Sequence, residues 1–187
     1  YFIIDKEFFY LSEKKRFNES IKRIFVFISG SDIDNYTYKI MKYLEDKLNY
    51  IIFDILIGMP NKNKDRIEEL CDKNNNYNFY YNVNNVYDIM FNADLCIGSL
   101  GQNFIERMVF GIPSIVFTIA DNQLGFLEKY RDKNIFIYCG NKINNFENIY
   151  LNINKLINDN ILYKNLIENN KNIKIFKSLS IENIING

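Results

Sequence analysis

Six short apolar runs, each ending in a small-residue or polar turn and each followed by a helical pattern, constrain this chain more than anything else in it. The first run, 24–28, ends in Ser29-Gly30-Ser31-Asp32, and the pattern over 35–48 is helical, with Ile40, Met41, Leu44 and Leu48 three or four residues apart. Further apolar runs lie at 51–57, 77–81, 95–97, 114–119 and 135–138, with helical patterns over 66–72, 86–92, 102–110 and 124–131 between them. Continuous apolar runs, as opposed to alternating ones, suit strands buried on both faces. Strands alternating with helices imply right-handed crossovers. The expected fold is therefore α/β, a parallel six-stranded sheet with helices on both faces. Two more helices are expected beyond Gly140, around 151–157 and 161–167, packed on the domain edge or reaching towards another domain.

With 187 residues there is enough chain for one sizeable core. Lys plus Arg and Asp plus Glu both number 23, so the formal net charge is zero and no basic excess points to nucleic acid. The chain has no histidine, so it offers no imidazole for proton transfer or metal ligation. Cys71, Cys96 and Cys139 are odd in number and far apart, which suits buried free thiols in a reducing, cytoplasmic setting. No apolar run is long enough to cross a membrane. The opening residues read as the interior of a longer protein, so residues 1–20 are expected to be an interdomain connection. Residues 21–187 are then expected to be a C-terminal domain whose N-terminal partner domain lies upstream. Glu13-Lys14-Lys15-Arg16 reads as a solvated face.

The candidate site residues lie in the turns after the strands. Gly30 and Ser31 allow a tight turn and close approach to a phosphate at a helix start, while Asp32 or Asp34 serves equally well as a plain helix cap. Gly98-Ser99-Leu100-Gly101 with Gln102 and Asn103 would suit a diphosphate. Glu106, one turn on, is either a carboxylate for the two ribose hydroxyls, or a first-turn partner of the helix dipole or a solvated surface acid. Ala120-Asp121-Asn122-Gln123 is a substrate loop or an N-cap, and Gly58-Met59-Pro60 a close-approach point or a simple turn. Cys96 reads as core.

These elements in this order resemble the C-terminal nucleotide-binding domain of glycosyltransferase-B-fold enzymes. More narrowly, they resemble the UDP-sugar hydrolases of pseudaminic acid biosynthesis and the related spore-coat polysaccharide proteins. The residues that carry the resemblance are Ser29 to Asp32, Ala93-Asp94, Gly98 to Glu106, the Gly-x-Pro-Ser-Ile of Gly111 to Ile115, and Ala120 to Gln123. It spans roughly residues 1–140.

The resemblance implies a Rossmann-like domain, one half of a two-domain fold, with a UDP-sugar as partner and no metal or other cofactor. Gly30, Ser31 and Asp32 with Gly101, Gln102 and Asn103 would face the diphosphate, and Glu106 the ribose. Backbone near Val83 would read the uracil edge, with Met59 beside the base. Asp121, Asn122 and Gln123 would face the sugar. The catalytic base would be a histidine of the N-terminal domain, leaving no catalytic residue in this chain. A glycosyltransferase using the same donor site, or a degenerate non-catalytic partner module, are the alternative readings.

Overall fold

The computed structural model describes residues 6–173. Its elements run α1 (Lys6–Lys14), β1 (Arg23–Phe27), α2 (Tyr36–Leu44), β2 (Ile52–Ile57), α3 (Lys64–Asp72), β3 (Tyr77–Tyr81), α4 (Tyr87–Asn92), β4 (Leu95–Ser99), α5 (Gln102–Val109), β5 (Ser114–Thr118), α6 (Leu124–Tyr130), β6 (Phe136–Asn141), α7 (Glu147–Asn158) and α8 (Asn160–Asn172). All six expected strands form, in one sheet of order β3-β2-β1-β4-β5-β6. Every neighbouring pair is parallel, from Arg23 opposite Ile52 on one side of β1 to Ile24 opposite Leu95 on the other.

Alternate side chains of the buried strands feed two cores. Ile24, Val26, Ile55, Ile97, Ile115 and Phe117 pack on one face with residues of α2, α3, α7 and α8. Phe25, Leu56, Cys96 and Val116 pack on the other with residues of α4, α5 and α6. Both faces are therefore apolar, which is why the runs in the sequence show no alternation.

Several boundaries move. The helix expected over 35–48 ends at Leu44, because Glu45 leaves the helical region (ψ 136°) and Asp46 takes a left-handed backbone (φ 65°). α7 and α8 begin earlier and end later than their apolar positions suggest, and both bury residues in the core of this domain. Strand β4 continues through Gly98 and Ser99. The last fourteen residues of the expected C-terminal domain, 174–187, and the first five of the expected connection lie outside the described residues.

One reading is corrected. The run 13–16 is not uniformly a solvated face: Lys15 is only 3% exposed. Its Nζ donates to the carbonyls of Phe91 (2.6 Å) and Ala93 (2.7 Å), with Met90 at 3.4 Å, closing the C-terminal end of α4. Burial lowers its pKa to about 8. Asp94, which figured only as a motif residue, completes the attachment. Its carboxylate accepts from Asn18 Nδ2 and from the backbone N–H groups of Lys22 and Arg23, at 2.9, 2.9 and 3.0 Å. The stretch before β1 is thereby bound to the domain at the amino end of the sheet, opposite the turns discussed next.

Candidate functional site

In a parallel sheet the strand order reverses where two successive crossovers leave in opposite directions, and a crevice opens there at the carboxyl ends of the strands. Here the reversal falls between β1 and β4. The turns holding Gly30 and Ser31 on one side and Gly101, Gln102 and Asn103 on the other flank it directly. Met59, Val83 and Asp121 to Gln123 follow β2, β3 and β5 at the same end.

Contacts link these turns into one row. A Cβ placed on Gly58 would lie 2.7 Å from both Cα and O of Gly30, so the turn after β2 touches the turn after β1 backbone to backbone. The Ser99 hydroxyl donates to the Ile28 carbonyl at 2.6 Å, joining the ends of β4 and β1. A Cβ on Gly101 would lie 3.6 Å from Ser99 Oγ and 3.9 Å from Gln123 Nε2, which brings the turn after β4 against the turn after β5. Val83 is half-buried, and Met59 is exposed with its carbonyl accepting from the Tyr81 hydroxyl at 3.3 Å.

The two helix starts beside the crevice differ. Asp32 is buried and left-handed (φ 38°), and its two carboxylate oxygens accept from Tyr36 N (2.9 Å) and Thr37 N (2.7 Å). Ser29 Oγ accepts from Asp32 N at 2.9 Å. Asp32 therefore fills the start of α2 with its own negative charge, as a cap does. At α5 the N-cap is Gly101, which has no side chain to offer, and the helix carries no acid in its first turn. The positive dipole end of α5 therefore lies at the switch point with no side-chain cap and no first-turn acid.

Glu106 is half-buried on α5 and accepts from Asn103 Nδ2 at 2.7 Å. Burial raises its pKa, against the lowering effects of the Asn103 bond and of Arg107. The dipole-partner reading does not apply, because Glu106 lies beyond the first turn. In the loop after β5, residues 121–123 form one turn of 3₁₀ helix, and neither it nor α6 has a side-chain cap. Asp121 and Asn122 are exposed, whereas Gln123 is buried and its Oε1 accepts from Ile119 N at 2.9 Å. Gln123 shapes the loop, and Asp121 and Asn122 are its exposed polar groups.

Sequence reasoning missed Arg107. It is 1% exposed, beneath the turn after β4, and its Nη2 donates to the Ser99 carbonyl. Nε and Nη1 are buried and find no acceptor among the described residues. Burial lowers its pKa to about 10, with Cys96 and Glu106 acting in the opposite sense. The signal was a charged residue beside Phe104 and Met108 on the apolar side of α5, opposite a glycine, Gly98, in β4. Beside the row, a cleft of about 490 Å³ opens between the start of α2 and the β6–α7 connection, lined by Asp34, Tyr36, Lys39, Lys142, Ile143, Asn144 and Phe146. None of the expected site residues lines it. Among the described residues no group of three or more His, Cys, Asp or Glu is placed to hold a metal ion, and no helix is long and apolar enough to cross a membrane.

No family model matches the chain. A curated relative, the uncharacterized protein MJ1062 of Methanocaldococcus jannaschii, is 27% identical over 139 residues, covering 71% of this chain. The chain spans only 29% of that relative's length. Among solved structures, S. aureus TarM in complex with UDP and other ligands superposes with a TM-score of 0.65 at 19% identity, over 92% of this chain and 35% of TarM. The C-terminal domain of the glycosyl transferase group 1 family protein LpcC of Francisella tularensis superposes with a TM-score of 0.58 at 15% identity, over 91% of each chain. At these identities the likeness is one of fold. The all-parallel, helix-flanked sheet has a Rossmann-like fold, the one it shares with the glycosyltransferase domains it superposes on.

Proposed function

We propose that this chain is the donor-binding domain of a nucleotide-sugar enzyme of surface-glycan biosynthesis, with a UDP-linked sugar as its ligand. The observation that carries the reading is the positive end of α5 at the switch point, which has neither a side-chain cap nor an acid in its first turn, with the half-buried carboxylate of Glu106 one turn away. A diphosphate is the ligand such a helix start favours, and a carboxylate one turn on suits ribose hydroxyls.

In this reading the N–H groups of Gly101, Gln102 and Asn103 hold the diphosphate, with Gly30 and Ser31 across the crevice and Asp32 keeping that turn in shape. Glu106 takes the ribose. Val83 and Met59, at the ends of β3 and β2, lie on the base side. Asp121 and Asn122 reach towards the sugar from a loop braced by Gln123. As the bond to the sugar breaks, charge builds on the departing diphosphate, where fixed N–H dipoles stabilise it best. The chain has no histidine, so an imidazole base would belong to a further domain, with residues up to about 20 leading from it.

The intact Ala120 to Gln123 motif favours hydrolysis of a UDP-amino sugar, in the manner of the pseudaminic acid and spore-coat proteins. Transfer to an acceptor from the same site is the second reading, favoured by the glycosyltransferase fold neighbours. Calorimetry with UDP tests the shared core of both. Glu106→Ala is expected to weaken binding ten- to a hundredfold, about 1.5–3 kcal/mol for a lost charged hydrogen bond. Unchanged affinity would remove the ribose role.

A further inference from the structure

Arg107 is a buried cation with two of its three guanidinium nitrogens idle among the described residues. Its guanidinium has one acceptor, the Ser99 carbonyl, while Nε and Nη1 have none among the described residues. Among the described residues no carboxylate forms an ion pair with it. Glu106, its neighbour in sequence, is instead bonded to Asn103, and the adjacent thiol of Cys96 is held neutral by burial, its pKa raised to about 12. The site is nevertheless shaped for this side chain. A Cβ on Gly98 would stand 2.6 Å from Nη1 and 2.3 Å from the Phe27 carbonyl, so only a glycine in β4 leaves room for the guanidinium. A charge kept in the interior without a counter-ion is costly, and an anion nearby offsets that cost.

The one bond Arg107 makes also has a direction. In a trans peptide the carbonyl and the following N–H point opposite ways, and the chain has no cis bond among its described residues. With the Ser99 carbonyl drawn to the guanidinium, the N–H of Leu100 points away from it.

We propose that Arg107 is a positioning residue for the diphosphate. It fixes the Ser99–Leu100 peptide so that the turn's N–H groups face the ligand, and it supplies a buried positive charge that a bound diphosphate compensates. The proposal deepens the donor-site reading and rests on it.

The test measures uridine, UMP and UDP affinities by calorimetry on the whole chain and on Arg107→Met and Arg107→Lys. Expected is a loss of at least tenfold for UDP in Arg107→Met, a smaller loss for UMP and none beyond twofold for uridine, with Arg107→Lys recovering part of the UDP affinity. The dependence of UDP binding on salt should be shallower in Arg107→Met. Equal losses for uridine and UDP, or no loss, would overturn the proposal by reducing Arg107 to a packing residue. If Arg107→Met does not fold, the comparison is made with Arg107→Lys and inorganic pyrophosphate, read as a thermal shift. A larger shift for the parent chain supports the proposal and an equal one refutes it. That second comparison needs no nucleoside. A parent chain that binds neither uridine nor UDP defeats the donor-site reading, and the pyrophosphate result still decides the role of Arg107.

Discussion

Gly58 and Gly30 meet backbone to backbone: a Cβ on the former would stand 2.7 Å from the Cα and the carbonyl oxygen of the latter. Neither atom belongs to a side chain that can swing aside. Gly58→Ala is therefore expected to displace the turn after β1 and to destabilise the domain by about 1–3 kcal/mol, as overpacking does. A Cβ on Gly30, by contrast, meets nothing within 4 Å. Gly30→Ala should unfold like the parent chain in urea yet bind UDP more weakly, since in the donor-site reading the diphosphate approaches this backbone closely. Equal stability of the two variants would contradict the packing argument. Full UDP affinity in Gly30→Ala would remove that turn from the site.

Arg23 and Asp54 form the principal charge pair inside the sheet. Arg23 Nη1 donates to both carboxylate oxygens of Asp54, at 2.9 and 2.8 Å, and Asn78 Nδ2 adds a third bond at 2.8 Å. Asp54 is 1% exposed at its side chain, whereas Arg23 is 31% exposed. The two halves of the pair should therefore fail differently. Arg23→Ala strands a buried carboxylate and is expected to cost about 3 kcal/mol or more. Asp54→Ala leaves an arginine that can turn towards water and should cost less. Chemical denaturation of both variants checks the order, and the reverse order would contradict it.

Lys15 should impose a pH dependence on stability. Burial lowers its pKa from 10.5 to about 8. Below about pH 8 the folded and unfolded chains both carry the proton, and the full cost of burying the charge is present. From about pH 8 to 10.5 the folded chain has released a proton that the unfolded chain still binds, so this contribution to stability rises with pH, by at most about 1.4 kcal/mol per unit. Cysteines and tyrosines titrate in the same range, so the quantity to measure is the stability of the parent chain minus that of Lys15→Met. The difference should be flat below pH 8 and climb above it. A flat difference up to pH 10 would show that Lys15 stays charged in the fold.

Much of this was legible in the sequence, for identifiable reasons. Strands buried on both faces write themselves as unbroken apolar runs such as 24–28 and 114–119. Turns at their carboxyl ends need small or polar residues, so Gly30, Gly101 and Asp121 mark those ends in the sequence itself. What the chain alone concealed depends on partners far apart in sequence. Lys15 reads as one charge among four until the carbonyls of Phe91 and Ala93 arrive from more than seventy residues away. Asp54 sits in an apolar run and gains its meaning only from Arg23, on the neighbouring strand. The capping role of Asp32 was undecidable locally, because an Asp before a helix suits cap and ligand alike, and it is the bonds to Tyr36 and Thr37 that reveal it. Arg107 was hidden by the opposite effect: a charged residue in a helix reads as surface unless the glycine facing it in β4 is taken into account.

The central claim is that the open start of α5, and not the carboxylate-capped start of α2, receives a nucleoside diphosphate. Backbone amide ¹⁵N spectra of the chain titrated with UDP test it most directly. The account expects saturable shifts that are largest at Leu100 to Asn103 and extend to Glu106, with the amides of Tyr36 and Thr37 little changed because Asp32 already holds them. Shifts centred on Tyr36 and Thr37, or no saturable shift at all, would contradict it.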